Sequence, residues 1–362
     1  MSASLIEYAR IPTSGARAVE HFDLDDHSYL AVPQLSYDVE GEPANMNGGD
    51  SNTDLLILRK TGSGFEEVDR LSVPGGEDAE FFRIGERAFL ATASIRSGAG
   101  PYDFAVDSAI FEWTDGRFQP FQSVATYAAK QWRHFEVGGR HFLALAQGLT
   151  LPGHEPNNLP SRIYEWNGER FVLFQDLTLG WGYNWHPFTI GKRVFLAHAD
   201  HAQPSVIFEW DGSRFLPFQE ASPEHGRAFA SFSRDGDTYL LVAIIQGSSL
   251  LLRWDGERFV VQQSLRRPAA REFAVVEDGD ELFVIRVNFI EGTPASPKTA
   301  LTSQVYEWDQ DHLTEIEEFA TEGSCDVSSW IDPVDGRLVA VSNSLTSDVR
   351  FANNVSVYRF QH

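Results

Sequence analysis

The chain has 362 residues, 42% hydrophobic and 22% charged, a balance that supports a large buried core and argues against a disordered polymer. Its 29 Lys and Arg against 52 Asp and Glu leave a formal net charge of -23, which argues against a nucleic-acid backbone or an anionic membrane surface as partner. The single cysteine, Cys325, excludes an intrachain disulfide framework and any Cys-based zinc or iron–sulfur site, and is expected to be a small buried hydrophobe.

The N-terminal segment MSASLIEYARIP lacks a basic region followed by an apolar one, and no run of about 18 apolar residues follows it anywhere, so the expectation is a soluble, cytoplasmic protein. LIEYARI itself reads as a strand. One unit is then written seven times. The clearest copies are FEWTDGRFQPFQ from Phe111, YEWNGERFVLFQ from Tyr164 and FEWDGSRFLPFQ from Phe208, with weaker ones from Leu252 and Tyr306. Each is joined to a second hairpin, as in HFEVGGRHFLALAQ from His134.

Four reference positions, named strands a to d, recur through these copies. Strand a carries Phe22, Phe82, Phe135, Phe188, Phe232, Phe273 and Trp330; strand b runs from Leu30 to Leu338, strand c from Lys60 to Phe360 and strand d from Phe65 to Leu313. The a-to-b spacing is 8 residues except for 9 in the sixth copy, and the d-to-next-a spacing is 17 except for 14 between Phe259 and Phe273. The segments are short and rich in Phe, Val, Leu, Trp and Tyr, and Gly-Gly, Asp-Gly and Asn-Gly pairs bound them, which is hairpin chemistry. Four strands in seven units predict an all-β, seven-bladed β-propeller. The seventh copy has no strand d of its own. Counting 17 back from Phe22 lands on Leu5, so residues 3–10 are expected to complete blade 7 and residues 1–362 to form one propeller domain.

The repeated motif YEW-x-G-x-x-F-x-x-F-Q, as in Tyr164 to Gln175, alternating with F-x-V-G-x-R-x-F-L-A, as in Phe135 to Ala144, resembles the epilepsy-associated repeat, also called EPTP. The resemblance covers essentially the whole chain and is closest in blades 2 to 4. It implies a seven-bladed propeller used mainly for protein–protein contacts, often in secreted neuronal proteins; this chain lacks the leucine-rich repeats and the signal peptide of those proteins.

Strand polarity puts the a–b and c–d turns on one face of the disc, and the b–c and d–a connections on the other. Every long loop falls on the second face: Pro33 to Asp54, Ala93 to Ser108, Gln147 to Ser161 and Arg286 to Ser303. A ligand site is expected there, around the channel mouth. Two residues before the strand a reference, the ring reads Glu20, Glu80, Arg133, His186, Ala230, Arg271 and Ser328; four before, it reads Ala18, Asp78, Gln131, Asn184, Ala228, Ala269 and Asp326. The row between them is apolar. Acids on blades 7, 1 and 2 would face Arg133, His186 and Arg271 across the mouth. Three readings stay open: structural pairing in a wet channel, a polar ligand with an anionic group, or Ca²⁺ on Asp78, Glu80 and Asp326 with Glu20.

Blade 4 gathers His186, His198 and His201. A two-residue hairpin at Gly191-Lys192 would pair His198 with Trp185 and send the two strand imidazoles to opposite faces, which disfavours a metal site; His201 is expected in solvent. Asp50, Asn52 and Asp54 resemble half of a calcium loop but read as a solvated loop, and Asn354-Val355-Ser356 is a sequon of use only to a secreted chain. Two functions follow. One is a binding module, a monomer or weak dimer, that presents its loop-rich face to a protein or a small polar ligand. The other is an enzyme of the channel mouth acting on a small, anionic substrate, with Glu20 or Glu80 as base and Arg133, His186 or Arg271 polarising the substrate.

Overall fold

The computed structural model describes residues 3–62, 64–149, 159–178 and 180–362, and its described residues contain strands and loops but no helix. Seven antiparallel four-stranded sheets make the seven-bladed propeller expected from the repeats. The innermost strand of each blade packs on that of the next, and that of blade 7 packs on blade 1. Blade 1 comprises Glu20–Leu24, His27–Val32, Asp54–Thr61 and Gly64–Ser72. Blade 7 comprises Ser324–Asp332, Gly336–Asn343 and Ala352–Gln361, with Ser4–Ser14 hydrogen-bonded along its outer edge, where Leu5 lies opposite Phe360. First and last blades are also latched by charge: Lys60 Nζ of blade 1 reaches Asp332 (3.1 Å) and Asp335 (2.8 Å) in the a–b turn of blade 7.

Strand b shows why the sequence chooses this architecture. In HFLALA, Leu143 and Leu145 pack toward blade 2, whereas Phe142, Ala144 and Ala146 pack toward blade 4. A strand buried on both faces needs a continuous apolar run, and this one has it. Tight a–b turns follow from residues that tolerate positive φ: Gly138 and Gly139 (58° and 76°), and Asp25 and Asp26 (48° and 63°), form two-residue hairpins.

The polar letters of the repeat are inter-blade fastenings. Gln175 donates from Nε2 to the Phe215 carbonyl (2.8 Å) and accepts from the Phe215 amide (3.0 Å); Gln122, Gln219 and Gln263 do the same to Phe171, Phe259 and Leu313. Arg140 donates to Glu165 (2.7 Å) and lays its guanidinium over Phe142, Phe174 and the Trp210 of the next blade, 5.0 to 5.5 Å from the ring centres. Arg87 and Arg193 repeat the arrangement.

Blade 6 corrects the register expected for it. Phe273 is not the strand a reference there: Val276 pairs with Phe283 where Phe22 pairs with Tyr29, so the equivalents are Val276 and Val284. With these, the d-to-a and a-to-b spacings return to 17 and 8, as in the other copies. In blade 7 the turn at 333–335 has three residues, and Val339 takes the strand b reference in place of Leu338.

Candidate functional site

The loop-rich face holds a vestibule of about 740 Å³ that opens into a channel cavity of about 430 Å³, and Arg17, Glu77, Lys130 and Tyr183 line both. Buried arginines hold the vestibule loops in place. Arg96 donates to the carbonyls of Asn47 (2.8 Å) and Gly48 (2.7 Å) and stacks on Tyr102, while Arg286 donates to the carbonyls of Arg266, Arg267 and Pro268. Of the long loops, the one between Gln147 and Ser161 has its centre, 150–158, outside the described residues.

Five strands a carry a one-residue bulge at the same place, skipping Glu77, Tyr183, Arg227, Arg271 and Cys325 in the pairing with strand b. Bulges re-aim side chains. With Arg17 and Lys130 at the equivalent places of blades 1 and 3, these residues form a ring at the junction of the two cavities: four cations, one carboxylate, a tyrosine and a thiol. Arg227, Arg271 and Lys130 converge on one aromatic ring, with their charged groups 4.0, 5.1 and 5.7 Å from the centre of Tyr183. Arg17 donates to Glu77 Oε1 (3.1 Å). Arg227 donates to His201 Nδ1 (2.8 Å), and Lys130 donates to the Ala128 carbonyl (3.0 Å). Arg271 is 7% exposed and has no hydrogen-bond acceptor among the described residues. Burial, reinforced by the neighbouring guanidinium groups, pushes Lys130 down to about 7; burial also lowers Arg227 to about 10.

Arg271 therefore belongs to this ring and not to the row of Arg133 and His186 where the spacing put it, and Ala274 takes its place in that row. The residue four before the corrected reference in blade 6 is Glu272, which the sequence reading missed; the constant spacing of 17 from Phe259 was the signal that could have found it. His201 also differs from expectation. It is part-buried against Trp181 (4.6 Å) and Arg227, and burial takes it down to about 3, so it is a wall of the vestibule and not a solvent loop. His198 pairs with Trp185, and His186 with Ala197, as the hairpin arithmetic required.

Below the ring the predicted acids fasten one blade to the next. Asp78 accepts from the amide of Trp132 (2.9 Å), Asp326 from that of Val19 (2.8 Å) and Glu20 from that of Phe81 (3.2 Å). Glu80 is fully committed, to the amide of His134 (2.8 Å) and to Arg133 Nη1 (2.9 Å). Gln131 and Asn184 play the same part toward Trp185 and Phe229. Burial raises all of these carboxyls: Asp78 and Glu272 rise to about 8, and Glu20, Glu80 and Asp326 rise too. Burial works against the charge on Arg133, but Glu80, Asp78 and Glu20 outweigh it and hold the guanidinium above its usual value. Burial and Arg133 push His186 down to about 3, and its Nε2 lies 2.8 Å from Ser231 Oγ. Among the described residues no group of three or more His, Cys, Asp or Glu side chains could hold a metal ion, so the Ca²⁺ reading of Asp78, Glu80 and Asp326 finds no convergent donor set. The acids lie inside the channel with Arg133 paired among them, and Arg17, Lys130, Arg227 and Arg271 gather at the loop end.

A closed seven-bladed ring with a cationic mouth is the class of molecule these features define. Residues 4–51, 117–167, 170–211 and 214–255, about half of the chain, match the EPTP domain, and the chain belongs to that family. It is 36% identical over 123 residues to the human thrombospondin-type laminin G domain and EAR repeat-containing protein, a match covering 33% of this chain and 18% of that one. The mouse protein of the same name is 31% identical over 148 residues (40% and 21%). The leucine-rich repeat LGI family member 3 of Macaca fascicularis is 27% identical over 109 residues (30% and 17%). The chain thus spans about a fifth of the length of these relatives. Among solved structures, that of the SapL1 lectin in complex with alpha methyl fucoside aligns with a TM-score of 0.46 at 13% identity, over 73% of this chain and 87% of that one.

Proposed function

We propose that this EPTP propeller is a binding module whose loop-rich face takes an anionic group, presented by a small ligand or by a partner protein, into the cationic ring at the channel mouth. The observation that carries this reading is Arg271: a guanidinium 7% exposed, lining the channel cavity, with no acceptor among the described residues. A guanidinium turned into a cavity without a protein acceptor is placed to take an anionic one from solution. Its surroundings strengthen the point, because three arginines and a lysine share this ring with one carboxylate in a chain of net charge -23. The vestibule walls, among them Leu35, Tyr102, Phe104 and Phe289, would hold the apolar body of whatever carries the charge. Family membership supports a binding role. An acid–base site on Glu80 gains no support, since both of its oxygens are occupied.

Calorimetric titration of the whole chain with acetate and with inorganic phosphate at low salt tests the proposal. Binding is expected, and R271A should weaken it about 10- to 100-fold, the loss of one charge-assisted hydrogen bond, without lowering the melting temperature of the free chain. Absence of anion binding by the folded wild-type chain would overturn it.

A further inference from the structure

We infer that Lys130 is a nucleophilic amine that forms a reversible imine with a small 2-oxo carboxylate held in the channel mouth. The inference rests on the anion-binding reading above and adds covalent chemistry to it. Lysine is rare in this chain: Lys60, Lys130, Lys192 and Lys298 are the four, and arginine supplies every other cation of the ring. A guanidinium would meet a purely electrostatic need and stays protonated, whereas an ammonium can give up its proton and become a nucleophile.

The placement of Lys130 favours the neutral amine. It is 3% exposed, and its one hydrogen bond goes to a backbone carbonyl. Among the described residues no carboxylate lies within 4.0 Å of its Nζ, whereas Lys60 is bridged by two aspartates and Lys298 by Glu291 (3.3 Å). Burial, with Arg17, Arg271 and Arg227, acts against its positive charge and outweighs Glu77, which favours it. An amine desolvated beside other cations is the arrangement that activates lysine toward carbonyl carbon.

The geometry also selects the carbonyl compound. Arg227 and Arg271 sit over the same tyrosine ring as Lys130, so a carboxylate gripped by these two guanidinium groups places the adjoining carbon near the amine. In a 2-oxo acid that carbon is the carbonyl. The nitrogen lone pair attacks it, the C=O π pair moves to oxygen, and the resulting carbinolamine forms a C=N bond as the oxygen departs. Both amine protons leave with that oxygen as water. Nothing is oxidised or reduced, and hydrolysis reverses the step. Glu77, the only carboxylate of the ring, has a buried Oε2 without a partner among the described residues and is suited to relay the proton.

The test uses the full chain with pyruvate and borohydride, which reduces the imine to a stable secondary amine. One adduct, mapping to Lys130 by peptide mass spectrometry, is expected. It should disappear in Lys130→Arg and persist unchanged in Lys298→Arg. Its yield should fall about tenfold from pH 8 to pH 6, as the amine, at about 7, takes up a proton. Labelling spread over Lys60, Lys192 and Lys298, or no labelling, would overturn the imine. Lactate, which matches pyruvate but lacks the carbonyl, separates the two claims. If wild type binds lactate yet gives no adduct, only the imine fails; if it binds neither acid, the anion-binding reading fails with it.

Discussion

Asp78 sits in a channel wall, buried, and gives one oxygen to the amide of Trp132 in the next blade. Burial raises its carboxyl to about 8, so the folded chain holds a proton there over a pH range in which the unfolded chain has released it. The sign follows by linkage: this contribution to stability is complete below the unfolded pKa of about 3.8 and is lost as pH rises toward 8. Asn at this position keeps an acceptor for Trp132 and carries no charge. D78N should therefore melt higher than wild type at pH 8, with the gap narrowing steadily toward pH 4; a difference that does not change with pH would contradict the assignment. Asp78 and Asp326 were legible in the sequence and Glu272 was not, and the work of none of them was. A period-2 pattern tells which residues face the channel, whereas the reach of a carboxylate to the backbone of the next blade depends on the stagger between blades, which no single strand encodes. Arg271 shows the other limit. Alternation would turn it toward the packed row, and only a bulge turns it inward.

Among the elements, strand d carries the Gln of F-x-x-F-Q, which grips both backbone groups of a residue in the neighbouring blade. Q175A removes the donor and acceptor of Phe215 together and should cost about 1 to 3 kcal/mol in urea denaturation. Q175E keeps the acceptor and loses the donor, so it should lie between. An unchanged midpoint in Q175A would show that water replaces the grip. Blade 6 is where reading by residue type failed. Phe273 looked like its counterparts in other blades, and phenylalanine outweighed spacing; the structure gives the position to Val276, because pairing register with strand b, not side-chain identity, decides which residue faces the next blade. The fold itself was plain from the repeats, since a hairpin every few residues and aromatic residues at fixed offsets leave few architectures open.

For the molecule as a whole, the ring is held where its two ends meet. The Ser4–Ser14 strand pairs with Ala352–Gln361, Tyr8 donates to Asp335 (2.8 Å), and Lys60 of blade 1 bridges Asp332 and Asp335. Removing residues 3–14 bares one sheet edge and the core around Ile11 and Val355, with an expected loss of about 3 to 6 kcal/mol in denaturant midpoint analysis. A synthetic peptide of residues 3–14 should restore part of that loss; no loss on deletion would mean that blade 7 stands on three strands. The bulges of strand a have a different consequence at this scale. Because the bulged residue is left out of the pairing with strand b, its identity is not set by that pairing. The five bulged positions, Glu77, Tyr183, Arg227, Arg271 and Cys325, are therefore freer to change than their strand neighbours while the ring stays the same. They work as a five-character address at the hub of an unchanging wheel, so that exchanging those side chains should redirect what the propeller recognises without rebuilding it.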